Sequence, residues 1–196
     1  IPLDSGDWLI LARTNYRLKN LVPQLKERGL YFEIKDRKSY RTRLYKSIKN
    51  YTRWTNGDKL SLSECKDLFE FLELDKELKD ERMYDLKEFG YSFTDDWYQV
   101  FKSDPEECLY IREMKRNNEK LSQDPRIKLS TIHAAKGGEA TNVLIILDNT
   151  KKIREAIEKN QDKYDEEQRV WYVGVTRTKQ NLYIMAAKKE DKGYDI

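Results

Sequence analysis

Apolar positions along this chain follow two different rhythms. Trp8, Leu9, Ile10, Leu11 and Ala12 form a short apolar run bounded by Asp7 and Arg13, the pattern of a strand buried on both faces. Leu18, Leu21, Val22 and Leu25 then recur at helical spacing, with Asn15 as the predicted cap and Gly29 as the stop. Residues 31–34 alternate as a second strand. The same grammar returns near the other end. Residues 127–132, 142–147 and 182–187 read as strands, and residues 151–159 and 166–175 read as helices between them. Strands alternating with helices predict an α/β fold with a parallel sheet and flanking helices.

The middle of the chain, residues 40–124, lacks such strands and reads as helical. Ser61 and Glu64 form a capping box ahead of Leu68, Phe69, Leu72 and Leu74. Asp104, Pro105, Glu106 and Glu107 supply a cap, a first-turn proline and two carboxylates suited to a helix dipole. The order predicts an α/β domain made of residues 1–39 and 125–196, interrupted by a helical subdomain over residues 40–124. Ser122, Gln123, Asp124 and Pro125 are the expected return junction.

A chain of 196 residues is long enough for one domain with a modest insertion and a self-supporting core. Its two cysteines, Cys65 and Cys108, lie far apart and show no zinc or redox spacing, so buried or indifferent thiols in a reducing compartment are expected. No apolar run approaches the roughly 20 residues that span a bilayer, and no signal peptide opens the chain. A cytoplasmic protein without a membrane partner is the simplest expectation. The start at Ile1, Pro2 and Leu3, without methionine, reads as a piece of something longer.

Charge matters through its distribution, since 38 basic and 35 acidic residues leave a net charge of only +3. Residues 37–53 carry Arg37, Lys38, Arg41, Arg43, Lys46, Lys49 and Arg53 with no acid among them, interleaved with Tyr40, Tyr45 and Tyr51, and with Trp54 just beyond. Two readings stand. Arg41, Arg43 and Lys46 neutralise phosphates while the rings stack on unpaired bases. Alternatively Tyr40, Leu44, Ile48 and Tyr51 are the core face of a helix and the bases are solvated. Residues 64–81 are mainly acidic and would repel a nucleic-acid backbone.

Candidate chemistry is narrowed by what the sequence omits. It has no phosphate loop, no dinucleotide-binding glycine pattern and no nucleophile elbow, so it does not cradle a triphosphate unaided in the usual way. His133 is the only histidine, which excludes a multi-histidine metal centre, and no metal site is expected. Thr131, His133, Lys136, Gly137, Gly138 and Glu139 fall in one loop after a strand, the position where parallel sheets bind ligands. The plain alternative is a turn hinged on its two glycines. Arg177 falls at the end of the helix predicted over residues 166–175, where it presents a guanidinium fork to an anion beyond the sheet. Glu166, Glu167 and Arg169 read equally well as surface charges.

These segments resemble a known family. Thr131-Ile132-His133-Ala134-Ala135-Lys136-Gly137-Gly138-Glu139 resembles motif V of the UvrD/Rep-like DNA helicases of superfamily one, and residues 166–177 resemble their motif VI. Residues 9–15 are similar to motif IV. With their flanking strands, residues 128–147 and 165–184, the three cover about a quarter of the chain, in the family's order. The resemblance implies a RecA-like second motor domain that closes over ATP and Mg2+ bound mainly by an N-terminal motor domain, the fragment alone being inactive. It implies that Arg13 and Arg177 are fingers on the γ-phosphate, and that Glu139, with Gly137 and Gly138, faces the nucleotide. Thr131, His133 and Lys136 would contact single-stranded DNA near a duplex junction, in a protein moving three-prime to five-prime and serving DNA repair or replication. A non-catalytic nucleic-acid or protein-binding module, and the helicase part of a recombination nuclease, are the alternatives. Gly138 and Ala140 stand where the family commonly has Leu and Phe, and Thr178 where it has Ala.

Overall fold

The computed structural model describes residues 1–90, 96–135 and 137–186. It comprises two compact units, Ile1–Ser39 with Met114–Ile196, and Tyr40–Glu113. In the first, strands β1 (Trp8–Ala12), β2 (Phe32–Ile34), β3 (Arg37–Lys38), β4 (Ile127–Thr131), β5 (Ala140–Leu147) and β6 (Thr178–Ala186) form one sheet in the order β3-β2-β4-β1-β5-β6. Every pairing is parallel except that of β2 with β3. The hairpin joining those two turns on Lys35 and Asp36, both at positive φ (52° and 57°), as a tight two-residue turn requires. The expected parallel sheet is therefore mixed at one edge, and Lys-Asp is a weak signal for such a turn.

Both faces of the sheet's centre are covered, which is why β1 and residues 143–147 of β5 are apolar without interruption. Leu9, Leu11, Val143, Ile145 and Leu147 pack with Trp171 in one buried cluster. Alternation turns Ile10 to the other face, and helix α1 (Asn15–Glu27) lies along β1 and β4. The crossovers leaving β1 and β5 run in opposite directions along the sheet, so right-handed connections put α1 and α7 (Gln161–Val175) on opposite faces. Helix α6 (Lys151–Lys159) packs against α7.

Several boundaries differ from those the pattern predicts. Thr14, not Asn15, holds the cap position of α1, and its hydroxyl makes no capping bond. Helix α7 starts five residues before the predicted 166, because the Asn160 side chain accepts from the Asp162 and Lys163 amides at 2.8 and 3.4 Å. Ala140 is buried beside Trp171, so the indole supplies bulk in the cluster where the resembling family carries Phe at position 140.

The second unit is built from α2 (Thr42–Thr55), α3 (Leu62–Leu72), the short α4 (Trp97–Val100) and most of α5 (Pro105–Arg116), with a 3-10 turn at Leu86–Phe89. Trp54 is fully buried against Phe69 and Phe89, its ring centroid 5.6 and 5.7 Å from theirs. The Ser61 and Glu64 capping box forms as predicted. The units divide at Met114 rather than at residue 125. Asn117 donates to the Arg28 and Gly29 carbonyls at 2.7 and 3.1 Å, and the Tyr31 hydroxyl donates to the Gln123 carbonyl at 3.1 Å, tying residues 117–123 to the α/β unit.

Candidate functional site

The segments singled out in the sequence meet on the two opposite edges of the sheet. At the carboxyl edge, Thr131 ends β4 beside Ala12, which ends β1. The chain then turns: the Ile132 amide donates to the Ala12 carbonyl at 3.1 Å, and the Ala135 amide to the Thr131 carbonyl at 2.9 Å. The Thr131 hydroxyl accepts from the Ala134 amide at 3.3 Å, so this side chain shapes the turn. His133 is exposed on it.

Arg13, directly after β1, donates from Nε to both carboxylate oxygens of Glu167 on α7, at 2.9 and 3.0 Å. Its Nη1 lies 3.4 Å from His133 Nδ1. The Glu167 side chain is only 5% exposed, so it is a buried partner rather than the surface charge its composition suggested. The signal for it was positional: Glu167, Trp171 and Gly174 share one helical face, and all three are buried. Arg13, His133, Lys163, Glu167 and Arg169 help line a cavity of about 430 Å3 beside α6 and α7. Next to it, Arg17 pairs with Asp148 at 2.7 Å.

The amino edge is built differently. Ala140 opens β5 beside Thr178, which opens β6, and the Ala140 amide donates to the Arg177 carbonyl at 3.1 Å. Asp7 pins this edge by accepting from the Thr141 amide at 2.8 Å, and that bonding holds its carboxyl below the usual carboxylate range. Glu139 is exposed here, 3.8 Å from Lys179. Gly137, three residues before β5, has φ of +89°, a conformation that strains any residue carrying a Cβ.

Arg177 follows Thr176, the C-cap of α7. Its Nε donates to the Val173 carbonyl at 3.0 Å and its Nη2 to the Thr176 hydroxyl at 3.3 Å, while Nη1 has no partner among the described residues. Gly174 lets the helix lie close to the sheet, since a Cβ there would sit 3.4 Å from Ile145 and 3.5 Å from Ile132.

The geometry thus brings Glu139 and Arg177 together and sets Arg13 apart. Arg13 follows the last residue of β1, whereas Arg177 precedes the first of β6, and β5 runs parallel to both. From Ala140 to Ile146, the β5 partner of Ala12, the strand spans about 20 Å. Arg13 thus lies at the other edge, bound to Glu167, and the fold does not bring it together with Arg177. Lys136 lies outside the described residues.

In the helical unit the stacking reading fails. Tyr40, Tyr51 and Trp54 are buried. Arg43 is held by Asp67 and by both oxygens of Glu70 at 2.6 to 2.9 Å, which raises its pKa above the ordinary value. Arg53 pairs with Glu64 at 2.7 Å. The acidic stretch thus neutralises part of the basic one, leaving Arg41 and Lys46 exposed. Both cysteines are buried and free, and burial pushes the Cys65 thiol to about 11. Among the described residues there is no cluster of three metal-ligating side chains, and no helix is long and apolar enough to cross a membrane.

A sequence model of the UvrD-like helicase C-terminal domain matches residues 34–189. An ATP-dependent DNA helicase Rep from Buchnera aphidicola subsp. Acyrthosiphon pisum (strain APS) is 38% identical over 81 residues, which cover 38% of this chain and 12% of that protein.

Proposed function

This chain belongs to the UvrD-like helicase C-terminal domain family, and from that premise we propose that it is the second motor domain of an ATP-dependent DNA helicase. Its α/β sheet is of the RecA-like kind that the family uses. The observation that carries the reading is that Arg177 and Glu139 flank the adjacent starts of β6 and β5 at one sheet edge, while Thr131 and His133 occupy the other. Residues 132–139 connect β4 to β5 in the sequence.

In this reading the amino edge completes a nucleotide site whose phosphate loop lies in another domain. ATP with its magnesium ion supplies the phosphoryl group transferred to water. Arg177, with Nη1 uncommitted, places a fixed positive charge where negative charge develops on the γ-phosphate. Anchoring Nε to the Val173 carbonyl orients the fork before the nucleotide arrives, so little ordering remains to be done at the moment of reaction. Glu139 accepts from a ribose hydroxyl, and Gly137 and Gly138 let the backbone approach the nucleotide. Thr131, His133 and Lys136 face the single strand. Exposed Arg41 and Lys46 contact the phosphate backbone, whereas Arg43 is held by Asp67 and Glu70.

The test is ATP turnover by the full-length protein with and without single-stranded DNA. Arg177→Ala is expected to abolish nearly all stimulated turnover while leaving binding of a fluorescent ATP analogue in place. Unchanged turnover removes Arg177 from this role and favours a non-catalytic module.

A further inference from the structure

Resting on the motor reading above, we propose that the Arg13–Glu167 ion pair is the positioning link through which the turn bearing His133 sets the placement of Arg177. Arg13 is then a positioning residue rather than a finger, and Glu167, to which no role has been given, becomes part of the coupling between strand binding and ATP turnover.

A carboxylate on the core face of a helix is costly unless it is paired and hydrogen-bonded, and an apolar side chain would fill the same space more simply. Glu167 satisfies both oxygens through Arg13 Nε alone. That leaves the rest of the guanidinium to reach His133, 3.4 Å away on the exposed turn. The pair therefore joins three elements: the end of β1, the turn after β4, and the second turn of α7.

Two routes run from that turn to the amino edge. One is the chain itself, which leads to β5 through Gly137 and Gly138, residues with no side chain to pack. The other is α7, a continuous helix of 15 residues, about 22 Å long, with Arg177 anchored just beyond its end. The turn grips this helix twice. Ile132 packs against it at Gly174, where a Cβ would lie 3.5 Å from the Ile132 side chain, and His133 meets it through Arg13 and Glu167. Close-packed contacts transmit displacement rather than absorb it. A strand that engages His133 thus moves α7, and Arg177 with it, along the stiff route.

The deciding experiment uses the full-length protein and compares basal ATP turnover, DNA-stimulated turnover, single-strand affinity and melting temperature for wild type, Glu167→Gln and Glu167→Asp. Glu167→Gln keeps the shape and loses the charge. It is expected to retain basal turnover and DNA affinity within about twofold, yet lose at least roughly fivefold of the stimulation, the lower end of ordinary coupling between sites. Glu167→Asp, which keeps the carboxylate, is expected to recover part of that loss. Full stimulation in Glu167→Gln overturns the inference. So does a loss shared equally by basal and stimulated turnover together with a lowered melting temperature, since that pattern belongs to a merely structural pair. A wild-type protein that DNA does not stimulate overturns the motor reading itself.

Discussion

Arg13 and Arg177 each stand one residue outside a strand of the same sheet, yet their surroundings differ in a way that separates holding from acting. Arg13 is met by a carboxylate that is 5% exposed, and its charge is spent inside the fold. Arg177 is oriented by a carbonyl and a hydroxyl, neutral groups that fix its direction without cancelling its charge. A group meant to stabilise charge arriving from outside must be oriented but not neutralised, and only the amino edge offers that arrangement. The helical unit repeats the contrast at its surface: Arg43 is neutralised by Asp67 and Glu70, whereas Lys46 is left to solvent.

The contrast can be broken from either side. The largest expected effect is on turnover: Arg177→Ala should lower stimulated kcat by about 10³-fold, about 4 kcal/mol of transition-state stabilisation, with a melting temperature near that of wild type. A comparable fall in stability would mean that Arg177 also holds the fold. Arg13→Ala should, unlike Arg177→Ala, also lower stability. It leaves Glu167 buried and unpaired, and chemical denaturation should show a loss on the order of 3 kcal/mol. A near-neutral result would place the pair with ordinary surface contacts.

Smaller effects sharpen the picture. Gly137→Ala forces a Cβ into positive φ and should cost about 1 kcal/mol in the same denaturation experiment, although the space around it is open. Smallest of all, Arg43→Ala should leave the melting temperature and the salt slope of single-strand binding unchanged. A shallower slope would restore Arg43 as a phosphate contact.

Much of this was legible in the residue order. The buried runs at 8–12 and 142–147 could only be strands covered on both faces, and the Ser61 and Glu64 box marked the start of α3 where it occurs. Local rules failed where a single side chain or a turn shifted a boundary, as Asn160 does for α7 and as Lys35 with Asp36 do in creating β3. The basic stretch of α2 was ambiguous because its rings and its charges lie on different faces of one helix. Burial of Tyr51 and Trp54 and the approach of α3 resolved it.

What the sequence determined by itself was most of the strands and helices of the α/β unit and the motifs that carry the family resemblance, because spacing and residue type act over a few neighbouring positions. Which motif residues share an edge was decided only by the tertiary structure. Strand order and direction place Glu139 beside Arg177 and put Arg13 about 20 Å away along the strands, against a carboxylate more than 150 residues distant in the chain. That pairing depends on which helix crosses which face of the sheet, and no local pattern encodes it.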